Sequence, residues 1–189
     1  MKARFPRHGV RLLLLSSAPF PLAIVLTFLF ILTIGTRFPR DVAPGSSLIL
    51  PGLVLSGIVM ALITALVRRH WPEPALRRAS LLLCGLTSLM AWPVWTTGIL
   101  PSVNGALLGP RQTSAMRLTG LSTSHASKSR DIYYWATMRP AQDTAAALGP
   151  GRYFVPQATY EMWQMRIGQD VRVDHATGLL GAETVLGFH

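Results

Sequence analysis

Eight acidic residues, five histidines and one cysteine are the groups in this 189-residue chain best suited to chemistry. Their spacing matches no common catalytic or metal-binding pattern. His125, the Asp174-His175 pair and the terminal His189 are the candidates for a metal. No two histidines are spaced i, i+4, and no H-E-x-x-H occurs, so the helical zinc arrangement is absent. Glu161, Asp170, Asp174 and Glu183 supply carboxylates from which a glycosidase pair could be drawn, but a domain this small leaves little room for a sugar cleft. Cys84, the lone thiol, lies inside an apolar block. Phosphate-cradling loops of the form G-x-x-x-x-G-K-[ST] or G-x-G-x-x-G are missing, as is the G-x-S-x-G nucleophile elbow. The sequence therefore implies no catalytic residue, no metal and no cofactor. An enzyme would require histidine and carboxylate side chains from separate parts of the chain to converge on folding.

The elements that would position these groups are unusual for a soluble protein. Only 14% of the residues are charged, against about 25% in typical soluble domains. The deficit is concentrated in three blocks, Leu12–Gly35, Ser47–Val67 and Ser80–Leu100, none containing Asp, Glu, Lys, Arg or His. A helix needs about 20 apolar residues to cross about 30 Å of hydrocarbon, so each block is long enough to span a bilayer. The first is too long for a signal-peptide core and has no small-residue cleavage site, which predicts an uncleaved anchor. Pro19 and Pro21 predict a bend or late start in that helix, and Pro93 a kink near the end of the third. Trp71, Trp92 and Trp95 fit the aromatic belts of the two interfaces.

Charge placement sets the expected threading. The formal charge is +10, and seven of those charges lie in two short segments, the tail before Leu12 and the linker after Val67. Arg4, Arg7 and Arg11 in the tail, with Arg68, Arg69, Arg77 and Arg78 in the linker, are the topology determinants. The positive-inside rule puts both segments in the cytoplasm, and three crossings then leave the C-terminal part outside, in the periplasm of a bacterium. This distribution argues against nucleic acid as a partner, since no basic groove is implied. The uncharged spans exclude the ionisable groups that proton relays, ion sites and intramembrane active centres use. Gly57, Ala61 and Ala65, with the pair Gly52 and Ser56 beside them, form small-residue rows at which another helix can approach closely.

After an interfacial connection at 101–110, residues 111–189 read as a small β-rich α+β domain outside the cytoplasm. Residues 114–121 alternate moderately and 122–130 form a polar loop. Asp131–Met138 alternates as a strand, with Ile132, Tyr134, Ala136 and Met138 on one face and Tyr133, Trp135 and Thr137 on the other. A short helix is expected at Asp143–Leu148, a turn at Gly149–Gly151 and a strand at Arg152–Val155. Residues 160–167 suit either a helix or a strand, with the strand favoured by the turn at Gly168-Gln169-Asp170. A strand at Val171–Val173, a loop at His175–Gly178 with Gly178 in the left-handed region, and a returning strand at Leu179–Leu186 complete the pattern.

Tyr133, Tyr134, Trp135, Tyr153, Phe154, Tyr160 and Trp163 read first as the core of a small β domain, but both faces of the Asp131–Met138 strand are apolar, so one face is available to the membrane surface or another protein. Tyr133, Trp135 and Trp163 are the interface candidates. The chain as a whole reads as an inner-membrane protein of three transmembrane helices and a small outer domain, partnered by lipid and by other membrane subunits. A non-enzymatic accessory, assembly or structural role in an envelope complex follows. The alternative is a tethered ligand-binding or sensory domain, with Ser122–Arg130 and His125 at its mouth.

Overall fold

The computed structural model describes residues 7–35, 37–70, 74–125, 131–141 and 147–189. Arg4, Trp71, the 126–130 half of the polar loop and the 143–146 part of the expected short helix lie outside the described residues. The chain divides into two compact units: Met1–Thr36 with Leu48–Leu100, and Arg37–Ser47 with Pro101–His189.

The first unit is helical. α1 (Arg7–Ser17) and α2 (Pro19–Phe30) meet at a bend of 52°, and a π-helical turn, Ile31–Gly35, follows. The bend falls where Pro19 and Pro21 remove backbone donors. α3 (Ile49–His70) and α4 (Pro74–Thr97) are each long and apolar enough to cross a membrane, and the bent α1–α2 pair makes a third candidate. α4 begins earlier than the uncharged block predicts, at Pro74. A proline in the first turn costs no hydrogen bond, and Arg77 and Arg78 are accommodated as exposed residues of a helix end. The helix breaks at Gly98 and a short α5 (Ile99–Gly105) follows, where the sequence predicts an irregular connection.

The helices pack through small and polar side chains. Leu12, Ile63, Val67 and Cys84 form the buried centre. The Thr87 hydroxyl donates to the carbonyl of Ser16 (3.1 Å), and the Ser56 hydroxyl to that of Ser88 (3.0 Å). A Cβ at Gly52 would come within 2.2 Å of Thr96 Oγ1, so α3 and α4 approach closely there.

The second unit is an antiparallel half-barrel of five strands in the order β3-β2-β1-β4-β5. β1 (Gln112–His125) is its spine. Residues 112–117 pair with β4 (Asp170–Thr177), while residues 116–125 pair with β2 (Ile132–Pro140). Overlap is confined to Met116 and Arg117, and an irregularity between Leu118 and Gly120 turns the strand between its two partners. β3 (Gly151–Phe154) and β5 (Glu183–Phe188) are the edges. Met116, Leu118, Ala136, Met138, Tyr153, Val171 and Val173 point into a filled core. β2 alternates as its sequence predicts, with Ala136 and Met138 buried and Tyr133 at the surface.

Residues 157–167 correct the strand expectation. They form α6 (Gln157–Trp163) and a 3-10 turn (Gln164–Arg166), with Trp163 fully buried edge-on against Phe188 at 5.6 Å. Pro156 opens the helix, and one aromatic per turn is enough to seat it on the core. Residues 175–177 belong to β4 rather than to a loop, and the left-handed glycine near this turn is Gly181, not Gly178.

Residues 37–47, which read as a linker in the sequence, are built into the half-barrel. Val42 bridges Thr184 on the free edge of β5, the Ala43 amide donates to the Glu183 carbonyl, and the Val185 amide donates to the Asp41 carbonyl, both at 2.8 Å. On the opposite edge the Gly149 amide, just before β3, donates to the Pro44 carbonyl at 2.9 Å. The segment thus joins the two edges of the sheet and adds Ala43 to the core. Gly45 takes φ +91, and a Cβ at this position would lie 2.7 Å from Gly149 Cα. Only glycine suits both demands.

Candidate functional site

β4 organises the polar interior. Val171 and Val173 face the core in ordinary alternation, but the pairing with β5 shifts between Asp174 and His175. That irregularity leaves Asp174, His175 and Ala176 buried in succession. Asp174 and His175 belong to different hydrogen-bonded groups.

Asp174 is the acceptor of the first group. Thr113 Oγ1 donates to it at 2.6 Å, Arg111 donates through Nε at 3.1 Å and through Nη2, and His189 Nε2 lies 2.8 Å away. The Thr113 hydroxyl, then Arg111 and His189, hold its carboxyl well below the usual carboxylate range. His189 and Arg111 are largely exposed, so this group ties the chain end to the sheet at the surface.

The second group runs across three strands. Ser114 Oγ on β1 is 2.9 Å from His175 Nε2 on β4, and His175 Nδ1 is 2.7 Å from Glu183 Oε2 on β5. Thr177 Oγ1 donates to the other Glu183 oxygen at 2.6 Å. The His175 side chain has no exposed surface, while Ser114 is half-buried. A carboxylate at Glu183 can only accept, so Nδ1 donates to it, and in the tautomer with a bare Nε2 that nitrogen accepts the Ser114 O–H. Serine, histidine and carboxylate thus form one hydrogen-bonded row across three strands.

A cleft of about 240 Å³ marks where β3 and β5 fail to meet, lined in part by Asp41, Val42, Trp135, Arg152, Phe154 and Phe188. Partial loss of solvent in the cleft raises the Asp41 carboxyl above its ordinary value, and Arg40 opposes the shift in part. In the core wall beside it, burial pushes the Tyr153 phenol up to about 12; its hydroxyl donates to the Gly149 carbonyl at 2.6 Å. The outer face of β2 and β3 carries Tyr133, Trp135 and Phe154. The Phe154 ring centroid lies 6.2 Å from that of Tyr133 and 5.7 Å from that of Trp135, and Arg152 lies 5.0 Å above the Trp135 ring.

The residues singled out in the sequence are distributed as follows. Of the metal candidates, Asp174 and His189 meet, His175 belongs to the other group, and His125 ends β1. Among the described residues no three His, Cys, Asp or Glu side chains are grouped to hold a metal. Of the interface candidates, Tyr133 and Trp135 share the outer face and Trp163 lies in the core. Of the small residues, Gly52 and Ser56 are buried, whereas Gly57, Ala61 and Ala65 are exposed. Ser56 and Gly57 border a shallow groove of about 200 Å³ between α3 and α4, which Gly85 and Ser88 also line. Arg7 lies in α1, and Arg11, Arg68, Arg69, Arg77 and Arg78 are exposed. The cleft at the β3–β5 seam is not lined by Ser122–His125, the expected mouth. Ser114, Arg152 and Asp41 had no signal in the sequence, because each gains its neighbours only from strand register. No protein-family model matches the chain, and no curated protein or solved structure matches it either.

Proposed function

We propose that the chain is a membrane-anchored accessory, assembly or structural subunit of a bacterial envelope complex, docking its partners through the barrel. The observation that carries this reading is the exposed aromatic cluster of Tyr133, Trp135 and Phe154, on a domain whose core is already filled by other side chains. Tyr133 and Phe154 are 40% and 44% exposed, and large aromatics grouped with an arginine at a surface are typical of protein interfaces. The groove beside Gly57 and Gly85 supports a second contact within the bilayer, since a Cβ at either glycine meets nothing within 4 Å.

The threading that goes with this role has the N-terminus in the cytoplasm and the barrel in the periplasm. The arginines of the tail and of the α3–α4 linker support the direction by the positive-inside rule, and chain parity is compatible with it. Residues 37–47 and 101–189 form one unit, so α3 and α4 between them must both cross the membrane or both stay on one side. A photoreactive residue at Phe154 in cells should crosslink to a defined membrane protein. A chain that is monomeric in mild detergent and gives no crosslink there would end this reading.

A tethered ligand-binding domain is the second reading, and the seam cleft favours it by setting Asp41 and Arg152 among aromatic walls. A ligand that raises the thermal midpoint of the wild type but not of Asp41→Asn would promote it over docking.

A further inference from the structure

We infer that Ser114 is a nucleophile activated by His175, and that this group cleaves simple carboxylic esters. The inference is independent of the docking role. Three features carry it. The distances and the order Ser114–His175–Glu183 are those of an activated hydroxyl: Oγ to Nε2 is 2.9 Å and Nδ1 to the carboxylate 2.7 Å. Glu183 is itself held by the Thr177 hydroxyl, and its amide donates to Ser46 Oγ at 3.0 Å, so the acid fixes both the tautomer and the tilt of the imidazole. Glu183 is a positioning residue; Ser114 and His175 are the reacting ones.

The third feature is access. β1 pairs with β4 along residues 112–117, but its pairing with β2 starts only at Met116. Ser114 lies just beyond the end of the β1–β2 pairing and is half-buried rather than sealed. The Ala115 carbonyl accepts from Ala141, on the β2 side, while Leu118 exchanges hydrogen bonds with Gln169 and Gly168 beyond β4. Inward of Ser114 the core is filled by fully buried Met116, Leu118 and Val173, so a substrate has to approach the hydroxyl from its exposed side.

In the reaction Ser114 Oγ attacks the ester carbonyl as its proton passes to His175 Nε2. The bond to the alcohol oxygen breaks and that oxygen takes the proton from Nε2, leaving an acyl-serine. Water then attacks the acyl carbon, giving its proton to Nε2, and Ser114 Oγ leaves with that proton as the carboxylic acid departs. No oxidant, reductant or metal is consumed.

A purely structural hydrogen-bond chain would hold the same distances, so the test must report the nucleophile itself. Full-length protein in its membranes is treated with a fluorophosphonate, and the adduct is mapped by mass spectrometry, alongside p-nitrophenyl acetate hydrolysis. The expected result is labelling of Ser114, abolished in Ser114→Ala, with ester hydrolysis and labelling falling about 100-fold or more in His175→Gln, the range of a lost general base. Glu183→Gln should slow labelling, and Glu183→Asp should restore part of it. Absence of label on the wild type, or label that persists in Ser114→Ala, overturns the proposal. Because His175→Gln could unfold the sheet, Ser114→Cys supplies a second measurement. Its thiol should alkylate at least about 10-fold faster than that of Ser124→Cys on the same strand, as for a thiol beside a base; equal rates would also overturn the proposal.

Discussion

Both units bury apolar side chains, but they differ in their buried polar groups and in what they expose. In the helical unit the buried polar residues are Ser16, Ser56, Ser80 and Ser88, while Val25, Phe28, Leu50, Leu62, Leu82 and Leu86 point outward, with Leu82 72% exposed. In the half-barrel the buried residues are chiefly Met, Val, Leu and aromatic, and the buried polar ones include Asn104, Asp174, His175 and Thr184, all hydrogen bonded. A sheet domain gains stability by removing apolar surface from water. Helices already surrounded by an apolar medium gain nothing from hiding leucine, and associate through close contact of small side chains and hydroxyl-to-carbonyl bonds. What each unit exposes, more than what it conceals, thus indicates the solvent it is built for.

The sharpest way to break that contrast is to place a charge on each exposed surface. Ile58→Arg, in the middle of the second span and 52% exposed, should reduce membrane integration by about 2.5–3.5 kcal/mol, the insertion cost of arginine near a span centre. Thr119→Arg, at an exposed barrel position, should shift the thermal midpoint by no more than about a degree or two. A glycosylation or protease reporter reads the first and thermal unfolding the second. If Ile58→Arg integrates like the wild type, the outward apolar residues do not face lipid.

Next in size is the loop between the first two spans, which belongs to the barrel unit. Gly45→Ala introduces a Cβ 2.7 Å from Gly149 Cα at φ +91, a cost of about 1–3 kcal/mol. For a domain this small that corresponds to a fall in melting temperature of roughly 4–8 °C per kcal/mol. Gly57→Ala, with open space around it, should leave the midpoint of the helical unit nearly unchanged. Equal effects at the two positions would show that the loop is not an integral strand of the sheet.

Two carboxylates of the half-barrel sharpen the contrast with the uncharged spans through opposite responses to pH. Asp174 has a lowered folded value, so it stabilises the fold above the ordinary Asp range of about 4 and the contribution is lost as pH falls through the folded value. Asp174→Asn should therefore be less stable than wild type at neutral pH, with the gap closing in strong acid. Asp41 is raised by partial loss of solvent, so the folded state binds its proton more tightly and stability falls as pH rises from about 4 through the folded value. Asp41→Asn should be more stable than wild type at neutral pH and lose that advantage on acidification. Thermal unfolding between about pH 3 and 7 decides both signs.

What the sequence makes legible follows from how local each determinant is. Twenty-four uncharged residues from Leu12, two early prolines and the alternation of Ile132 to Met138 act over one element, and the bend and the strand appear where those patterns lie. Residues 157–167 are less determinate because Tyr160, Trp163 and Ile167 fit a helical period while Trp163, Met165 and Ile167 fit a strand period. The seating of Trp163 beside Phe188 selects the helix. Residues 41–43 carry no strand pattern and become part of the sheet only because β5 has a free edge. Ser114, His175 and Glu183 are brought together by the register of β1, β4 and β5 and by an irregularity at Asp174, which no local pattern encodes.

The smallest effect on stability belongs to the outer face of β2 and β3, and it separates a docking surface from a structural one. Phe154 touches Tyr133 and Trp135 only from outside the sheet, and it is 44% exposed. Phe154→Ala should cost about 1 kcal/mol, the order of the lost aromatic contacts, because no core cavity opens. Tyr153→Ala, one residue away but only 2% exposed, should cost several kcal/mol, about 3–5 as for aromatic truncations in a core. If the outer face docks a partner, Phe154→Ala should remove the in-cell crosslink formed by a photoreactive residue at Tyr133 while leaving the melting temperature within a few degrees of wild type. A crosslink that survives this substitution would remove the aromatic face from the interface. A large drop in melting temperature would instead make Phe154 part of the fold.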